Sequence, residues 1–343
     1  MTPKLYPATA IHFQYGSILL KEIYDCRIVE ELNGAYELTM ECSKDYADIM
    51  QIGKIIGAKP NSHMNIDAFR IYYIGRETDR LIVKAIHITN DLNYVPISRF
   101  RSDGVRQTIA LINDYLGHYA ENPSITISTD FTTTDLFAEP AYFGPCSIYS
   151  VFDKLTESMY GGAQLRRYGW NVDVLRDRTA HRDYTLYVGK SIYFLQNIDG
   201  EKRYNAVFPY WKSSSGTYNY WEPPLIPQTN ASYPIRAIAY DPSTDYDVTS
   251  AQDFGRFDPQ TWINENREPA KNMIQVNVLN LDERVYKIIP GDLLTIIDEG
   301  SSKDTQSWLM RVSKVEYDVL RERTTGLGLN TNIPRVGDII WTR

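Results

Sequence analysis

The chain has 343 residues, a formal net charge of −7 and a pI near 5.4. That length exceeds the usual reach of one hydrophobic core, so two or three domains are expected. The acidic balance, with no long basic run, argues against a protein that grips nucleic-acid phosphates.

Tyrosine is abundant at 26 residues, and Tyr with Val, Ile and Thr favours half-buried strands, so a β-dominated chain is expected. From residue 1 to 97 the pattern is short alternating strands: Tyr36 to Cys42, Gly53 to Ala58, Phe69 to Ile74 and Leu81 to Ile88, with Thr78-Asp79-Arg80 as a hairpin loop. This stretch reads as a first β-barrel-like ring domain. Between 98 and 190 the period changes and an α+β insert domain is expected. Ser102 is placed to cap a helix carrying Val105, Ile109, Ile112 and Leu116, with Gly117 ending it. A second helix follows Ser147, with Ile148, Val151, Phe152, Leu155 and Met159 on one face and Gly161-Gly162 as its stop. After it, Trp170, Val172 and Val174 alternate, and Thr185 to Val188 is expected to pair with them. Residues 209–270 are rich in Pro, Tyr, Trp, Ser and Asn and read as a loop-rich aromatic subdomain. Strands return in 191–208 and 271–343, a second β-barrel-like ring domain ending in a short tail, Val336 to Trp341.

The two strand regions carry one pattern. In the first, Tyr36 to Cys42 precedes Gly53-Lys54-Ile55-Ile56 and then Phe69-Arg70-Ile71-Tyr72-Tyr73-Ile74. In the second, Ile274 to Val278 precedes Gly291-Asp292-Leu293-Leu294 and then Met310-Arg311-Val312-Ser313-Lys314-Val315. The interval from Leu38 to Gly53 equals that from Val276 to Gly291, and Arg follows the first apolar residue in both third strands.

Catalytic and metal signatures are missing from the sequence. The histidines (His12, His63, His87, His118, His181) show no metal-ligand spacing, and no nucleophile elbow, zinc-protease helix motif, Walker loop or dinucleotide fingerprint occurs. No cofactor or metal is therefore expected. Asp241 to Asp247 offers carboxylates but departs from the EF-hand loop and reads as an Asp-Pro turn. Cys26, Cys42 and Cys146 are odd in number and far apart, which fits folding in a reduced cytosol, and Cys42 continues the alternation of a core strand. The N-terminus lacks a signal-peptide core, and no stretch reaches the length of a membrane span, so neither standard secretion nor membrane insertion is expected. Two surfaces are candidates for partner contact. Trp211, Tyr218, Tyr220 and Trp221, beside Pro223-Pro224, form an aromatic cluster of the kind enriched at interfaces. Arg166 and Arg167 head a basic group with Arg176, Arg178 and Arg182, although interleaved Asp173, Asp177 and Asp183 also fit neutralised exposed strands.

Several short runs, taken in order, resemble a known family: Gly161-Gly162, Leu175-Arg176-Asp177-Arg178, Arg182-Asp183, Tyr187-Val188-Gly189-Lys190-Ser191, Pro290-Gly291-Asp292-Leu293-Leu294 and Arg311 to Asp318. The ordered set resembles the N-terminal module of siphophage tail-tip proteins, the prophage tail protein or tail-associated lysin family, similar to the baseplate hub of contractile-tailed phages. The resemblance implies a homotrimer, a structural protein of the virion tail tip made in the bacterial host cytoplasm. Two barrel-like domains per subunit would form a pseudo-sixfold ring on the tail-tube or distal-tail proteins. Receptor-binding or fibre proteins would lie beyond it, and DNA would pass through without being bound. Longer members of that family carry a peptidoglycan-cleaving or fibre-like extension. This chain stops just after the hub module, so no catalytic residue is carried over and a non-enzyme is expected. The alternatives are a cell-wall hydrolase, with Cys146 and His118 as the available pair, and a receptor- or saccharide-binding module built on Trp211 to Trp221.

Overall fold

The computed structural model describes residues 2–10, 17–61, 64–119, 125–157, 160–179, 184–188, 190, 192–199, 206–213, 216–227, 237–244, 248–265, 271–278, 285–298 and 306–330. The chain divides into two compact units, 1–195 with 274–343, and 196–273.

In the first unit, β1 (Lys4–Tyr6) and β2 (Ile18–Leu19) lead into the hairpin β3 (Ile23–Glu31) and β4 (Tyr36–Ser43), then β5 (Ile55–Ala58), β6 (Asp67–Arg76) and β7 (Arg80–His87). Alternation in β4 sends Tyr36, Leu38, Met40 and Cys42 into the core, while Thr39 faces out. The insert follows: β8 (Pro96–Ile97), β9 (Phe100–Gly104), α1 (Val105–His118), β10 (Thr126–Thr129), β11 (Leu136–Phe143), β12 (Cys146–Ser147), α2 (Ile148–Thr156), β13 (Gln164–Tyr168) and β14 (Asn171–Leu175). Its helices bury Val105, Ile109, Ile112, Leu116, Ile148, Val151, Phe152 and Leu155 in one core, as their spacing requires. Next come β15 (Tyr184–Tyr187) and β16 (Ile192–Asp199), which lead into the second unit.

The second unit holds β17 (Ala206–Lys212), β18 (Tyr218–Tyr220), β19 (Ile226–Pro227), β20 (Ala237–Tyr240), α3 (Ala251–Phe254) and α4 (Pro259–Glu265). The segment expected to be loop-rich thus contains a small sheet, in which β17 pairs with β18, β19 and, in parallel, β20. Its short strands evade a periodicity reading. The chain returns through β21 (Lys271–Val278) to β22 (Leu293–Asp298), β23 (Gln306–Asp318) and β24 (Arg323–Asn330).

The main sheet has 13 strands and runs β16-β21-β24-β23-β3-β4-β7-β6-β5-β1-β2, with β22 paired to β23 and β15 to β22. The protein is β-dominated with few helices, as the composition indicates. Among the described residues neither strand region closes into a barrel. The physical reason lies in β23, whose first half pairs with β22 and whose last residues, Lys314 to Asp318, pair with Glu31 to Arg27 of β3. The two halves are laid edge to edge in one sheet instead of each closing on itself.

Three local expectations change. Thr185 to Val188 does not pair with the Val172 strand: β14 lies between β10 and β13, and β15 runs parallel to β22, Tyr184 opposite Leu294. Helix α1 is capped at Gly104, because the Ser102 hydroxyl instead donates to the Gly104 carbonyl at 3.0 Å. It also runs through Gly117 to His118. Helix α2 starts where expected, with Ser147 Oγ accepting from Ser150 N at 3.2 Å, and ends at Thr156; Met159 lies outside the described residues, as do His12, His63, His181, Arg182, Asp183 and the tail 336–341.

Candidate assembly surface

The sequence repeat is a repeat of hydrogen bonds. In the first half, Gly53 takes a left-handed φ of 87°, its N–H donates to Ile71 O at 2.9 Å, and Ile71 N donates to Lys54 O at 2.8 Å. In the second, Gly291 has a φ of 102°, its N–H donates to Val312 O at 2.8 Å, and Val312 N donates to Asp292 O at 2.8 Å. A positive φ strains any side-chain-bearing residue, which is why glycine stands at both turns. Ile55 lies opposite Arg70 as Leu293 lies opposite Arg311. Both third strands then bulge at the same place: the ladder shifts between Ile71 and Tyr73 in β6 and between Val312 and Lys314 in β23. The strand orders also match, β3-β4-β7-β6-β5-β1 against β16-β21-β24-β23-β22-β15. They differ in that β1 meets β5 antiparallel whereas β15 meets β22 in parallel.

The repeated arginine closes each turn. Arg70 donates from Nη1 to Gly53 O at 2.8 Å and from Nη2 to Asp91 Oδ2 at 2.6 Å. Arg311 donates from Nη1 to Gly291 O at 2.7 Å, to Asp177 Oδ1 at 3.1 Å and to Thr179 Oγ1 at 3.0 Å. Burial raises the Asp177 carboxyl, but hydrogen bonds from Thr179 and the Arg311 guanidinium outweigh it and hold it below the usual carboxylate range. In each half a strand arginine thereby joins a turn carbonyl to a carboxylate supplied by a segment outside the repeat.

Where the halves meet, the insert clasps the seam. Arg178, with 1% of its side chain exposed, donates to Glu30 Oε1 of β3 at 2.6 Å and to Leu165 O at 2.9 Å. Asn33, at the left-handed turn between β3 and β4, donates to Ala163 O at 3.0 Å and accepts from Leu165 N at 2.7 Å. Arg167 lies over the Tyr36 ring and donates to Tyr149 Oη at 3.1 Å and Glu31 O at 3.3 Å. Beneath it, burial and then Asp67 raise the Tyr36 hydroxyl well above its ordinary value, so it stays protonated and donates to Asp67 Oδ2 at 2.6 Å. Tyr36 also stacks on His87, a packed core residue.

The sequence-derived contact residues fall in different environments. Arg167 is buried in the clasp just described, and Arg166 is partly exposed and paired through Nε to Asp173 Oδ2 at 2.9 Å. In the second unit Trp211 is buried against Phe254, and Trp221 meets Phe254 and Phe257 edge-on. Tyr218 and Tyr220 stand out from the same sheet, each at least half exposed. Cys146 lies in β12 against the insert core, and exposed His118 has its Nδ1 2.8 Å from Asp114 O. Ser243 N donates to Asp241 Oδ1 at 3.0 Å, an Asx turn, while Asp245 to Asp247 lie outside the described residues. No group of carboxylates, histidines and cysteines able to hold a metal occurs among the described residues. Of the seam's charged groups, Arg178 was legible only as part of a basic run. The signal for the Arg70 and Arg311 joints was their identical place in the two repeats.

No family model matches the chain, and no curated protein matches it by sequence. By structure it is similar to prophage tail protein gp18 of Listeria monocytogenes EGD-e, at TM-score 0.58 and 11% identity over 98% of this chain and 96% of that one. The 43 kDa tail protein of prophage MuSo2 of Shewanella oneidensis gives TM-score 0.61 and 11% identity, covering 96% of this chain and 97% of that one. The tail protein of Neisseria meningitidis MC58 gives TM-score 0.59 and 12% identity, covering 96% of each chain. The chain has the fold of these prophage tail proteins along nearly its whole length.

Proposed function

We propose that this chain is the structural hub of a phage or prophage tail tip, three copies forming a ring that closes the distal end of the tail tube. The observation that carries the reading is the doubled half: the same turn, bulge and arginine joint built twice along one chain that shares the fold of prophage tail proteins. Three chains with two such halves each offer six similar faces to a sixfold tube, a match that a trimer of single halves cannot make.

In this reading 1–97 and 191–208 with 271–343 are the ring domains, 98–190 is the insert that clasps their seam, and 209–270 is a partner-contact subdomain. Its exposed Tyr218 and Tyr220 are the side chains suited to a fibre or receptor-binding neighbour. The net charge of −7 suits a lumen through which DNA moves without adhering, because like charge suppresses counterion-release binding. The role is structural, not catalytic. Its residence is the virion tail tip, and its partners are its own copies and the tail-tube proteins.

Electron microscopy of assembled tails, with the purified chain as a second sample, tests the proposal. A ring of three copies around an open channel is expected. A monomer in every context, or a closed centre in mature tails, refutes it. Lysine substitutions at carboxylates found on the channel wall should then slow DNA ejection, and unchanged ejection would remove the electrostatic part of the reading.

A further inference from the structure

The seam inside the chain specifies a second seam that the chain cannot make alone. In the second half, the residues of β23 beyond its bulge, Lys314 to Asp318, take β3 as an antiparallel neighbour. By the shared register, the corresponding residues of the first half begin at Tyr73, after the matching bulge in β6. There, β5 reaches only as far as Arg70, and among the described residues the edge from Tyr72 to Arg76 has no strand beside it. The strand corresponding to β3 in the second half is β16: each lies next to the first strand of its repeat, β4 or β21. Among the described residues β21 is the one strand paired with β16, which ends the sheet; on β16 itself only its first residue, Ile192, makes a further bridge, to Val188.

We infer that Tyr72 to Arg76 of one copy and β16 of a second copy pair as antiparallel strands, repeating between chains the β23·β3 seam within each. This rests on the ring reading and names the contact that would propagate it: a heterologous joint, the kind that closes into a ring when its rotation closes.

Two observations on the edge itself support the inference. Glu77 N donates to Arg80 O across the β6–β7 hairpin, so by alternation the N–H groups of Arg76 and Ile74 point outward from the sheet. The seam inside the chain has the same phase. Glu31 N turns to Ala35 O, which leaves Glu30 and Ile28 facing β23 opposite Val315 and Tyr317, the counterparts of Ile74 and Arg76. The second observation is exposure: Tyr72 and Tyr73 are 46% and 47% exposed on this open edge, whereas their counterparts Ser313 and Lys314, beside the formed seam, are half-buried. A long open edge carrying aromatic side chains is a template for strand addition unless something covers it.

The test compares the wild-type chain with Arg76→Pro and Tyr72→Lys, each assayed in solution by native mass spectrometry and by incorporation into tails. Arg76→Pro deletes an outward donor that the β6–β7 ladder does not use, so the melting temperature of the monomer should stay that of wild type. Tyr72→Lys sets a charge on the edge without touching the backbone and serves if the proline variant fails to fold. Assembly should fall at least about tenfold in both variants, and in the wild-type assembly amide exchange at Ile74 and Arg76 should slow by a similar factor, the scale of a net hydrogen bond. A wild-type trimer whose Ile74 and Arg76 amides exchange as fast as in the monomer, or which both variants still form, overturns this seam and leaves the ring standing. A wild type that is monomeric in solution and in tails overturns both.

Discussion

Removing the Arg178 side chain tests how the insert holds the seam between the two halves. Arg178 and Glu30 are both nearly excluded from water, 1% and 7% exposed at the side chain, and their 2.6 Å contact ties the insert to β3 beside the seam. Arg178→Ala leaves the Glu30 carboxylate buried opposite a void and frees the Leu165 carbonyl, which accepts from Arg178 Nη1 at 2.9 Å. Breaking one side of a buried pair costs roughly 3–5 kcal/mol, because the surviving charge keeps its desolvation penalty without its partner. Replacing both partners removes that penalty, so Arg178→Met with Glu30→Met should be far milder than the sum of the singles, within about 1–2 kcal/mol of wild type. Urea unfolding of the wild type, both singles and the double forms a cycle that isolates the coupling. A loss below about 1 kcal/mol for Arg178→Ala, the range of a surface pair, would refute the view that this pair is desolvated and ties insert to sheet.

Three further outcomes follow from the same geometry. Alanine at Gly53 should cost about 1–2 kcal/mol for its left-handed φ alone, since its new Cβ meets open space. At Gly291 a Cβ would sit 2.9 Å from Arg178 Cβ, so Gly291→Ala should be clearly the worse of the two, and equal losses would refute the packing of Arg178 on that turn. Because Asp177 is held below its unfolded value, its contribution is fully present above the ordinary aspartate range and is lost as pH falls through the depressed folded value. Asp177→Asn should therefore flatten the acid limb of the stability curve measured by denaturation at a series of pH values, and an unaltered slope would count against the Arg311 joint. Burial pushes the Cys42 thiol up to about 11 and raises Cys26 further, so native protein at pH 8 should take up a thiol reagent at Cys146 first. Labelling of Cys26 or Cys42 at a comparable rate would show that this core opens.

The periodic parts of the fold were legible in the sequence because they are local. Alternation in Tyr36 to Cys42, helical spacing from Val105 to Leu116 and the Ser147 cap each depend on residues within a few positions of one another, and each recurs in the structure. The equal intervals to Gly53 and Gly291 likewise marked two turns that require a left-handed residue before a strand whose arginine bonds the turn carbonyl. Pairing partners are another matter. That Thr185 lies beside Thr295 and not near Val172, that β23 crosses to β3, and that Arg178 reaches Glu30 are decisions between segments more than 100 residues apart. A strand offers the same N–H and C=O groups to any neighbour, so its sequence states which face is buried while the packed chain decides which edge it meets. For this protein the sequence determined that one half is built twice. Only the tertiary structure decided that the halves are joined edge to edge, because that choice depends on long-range hydrogen bonds and on a buried charge that no local pattern encodes.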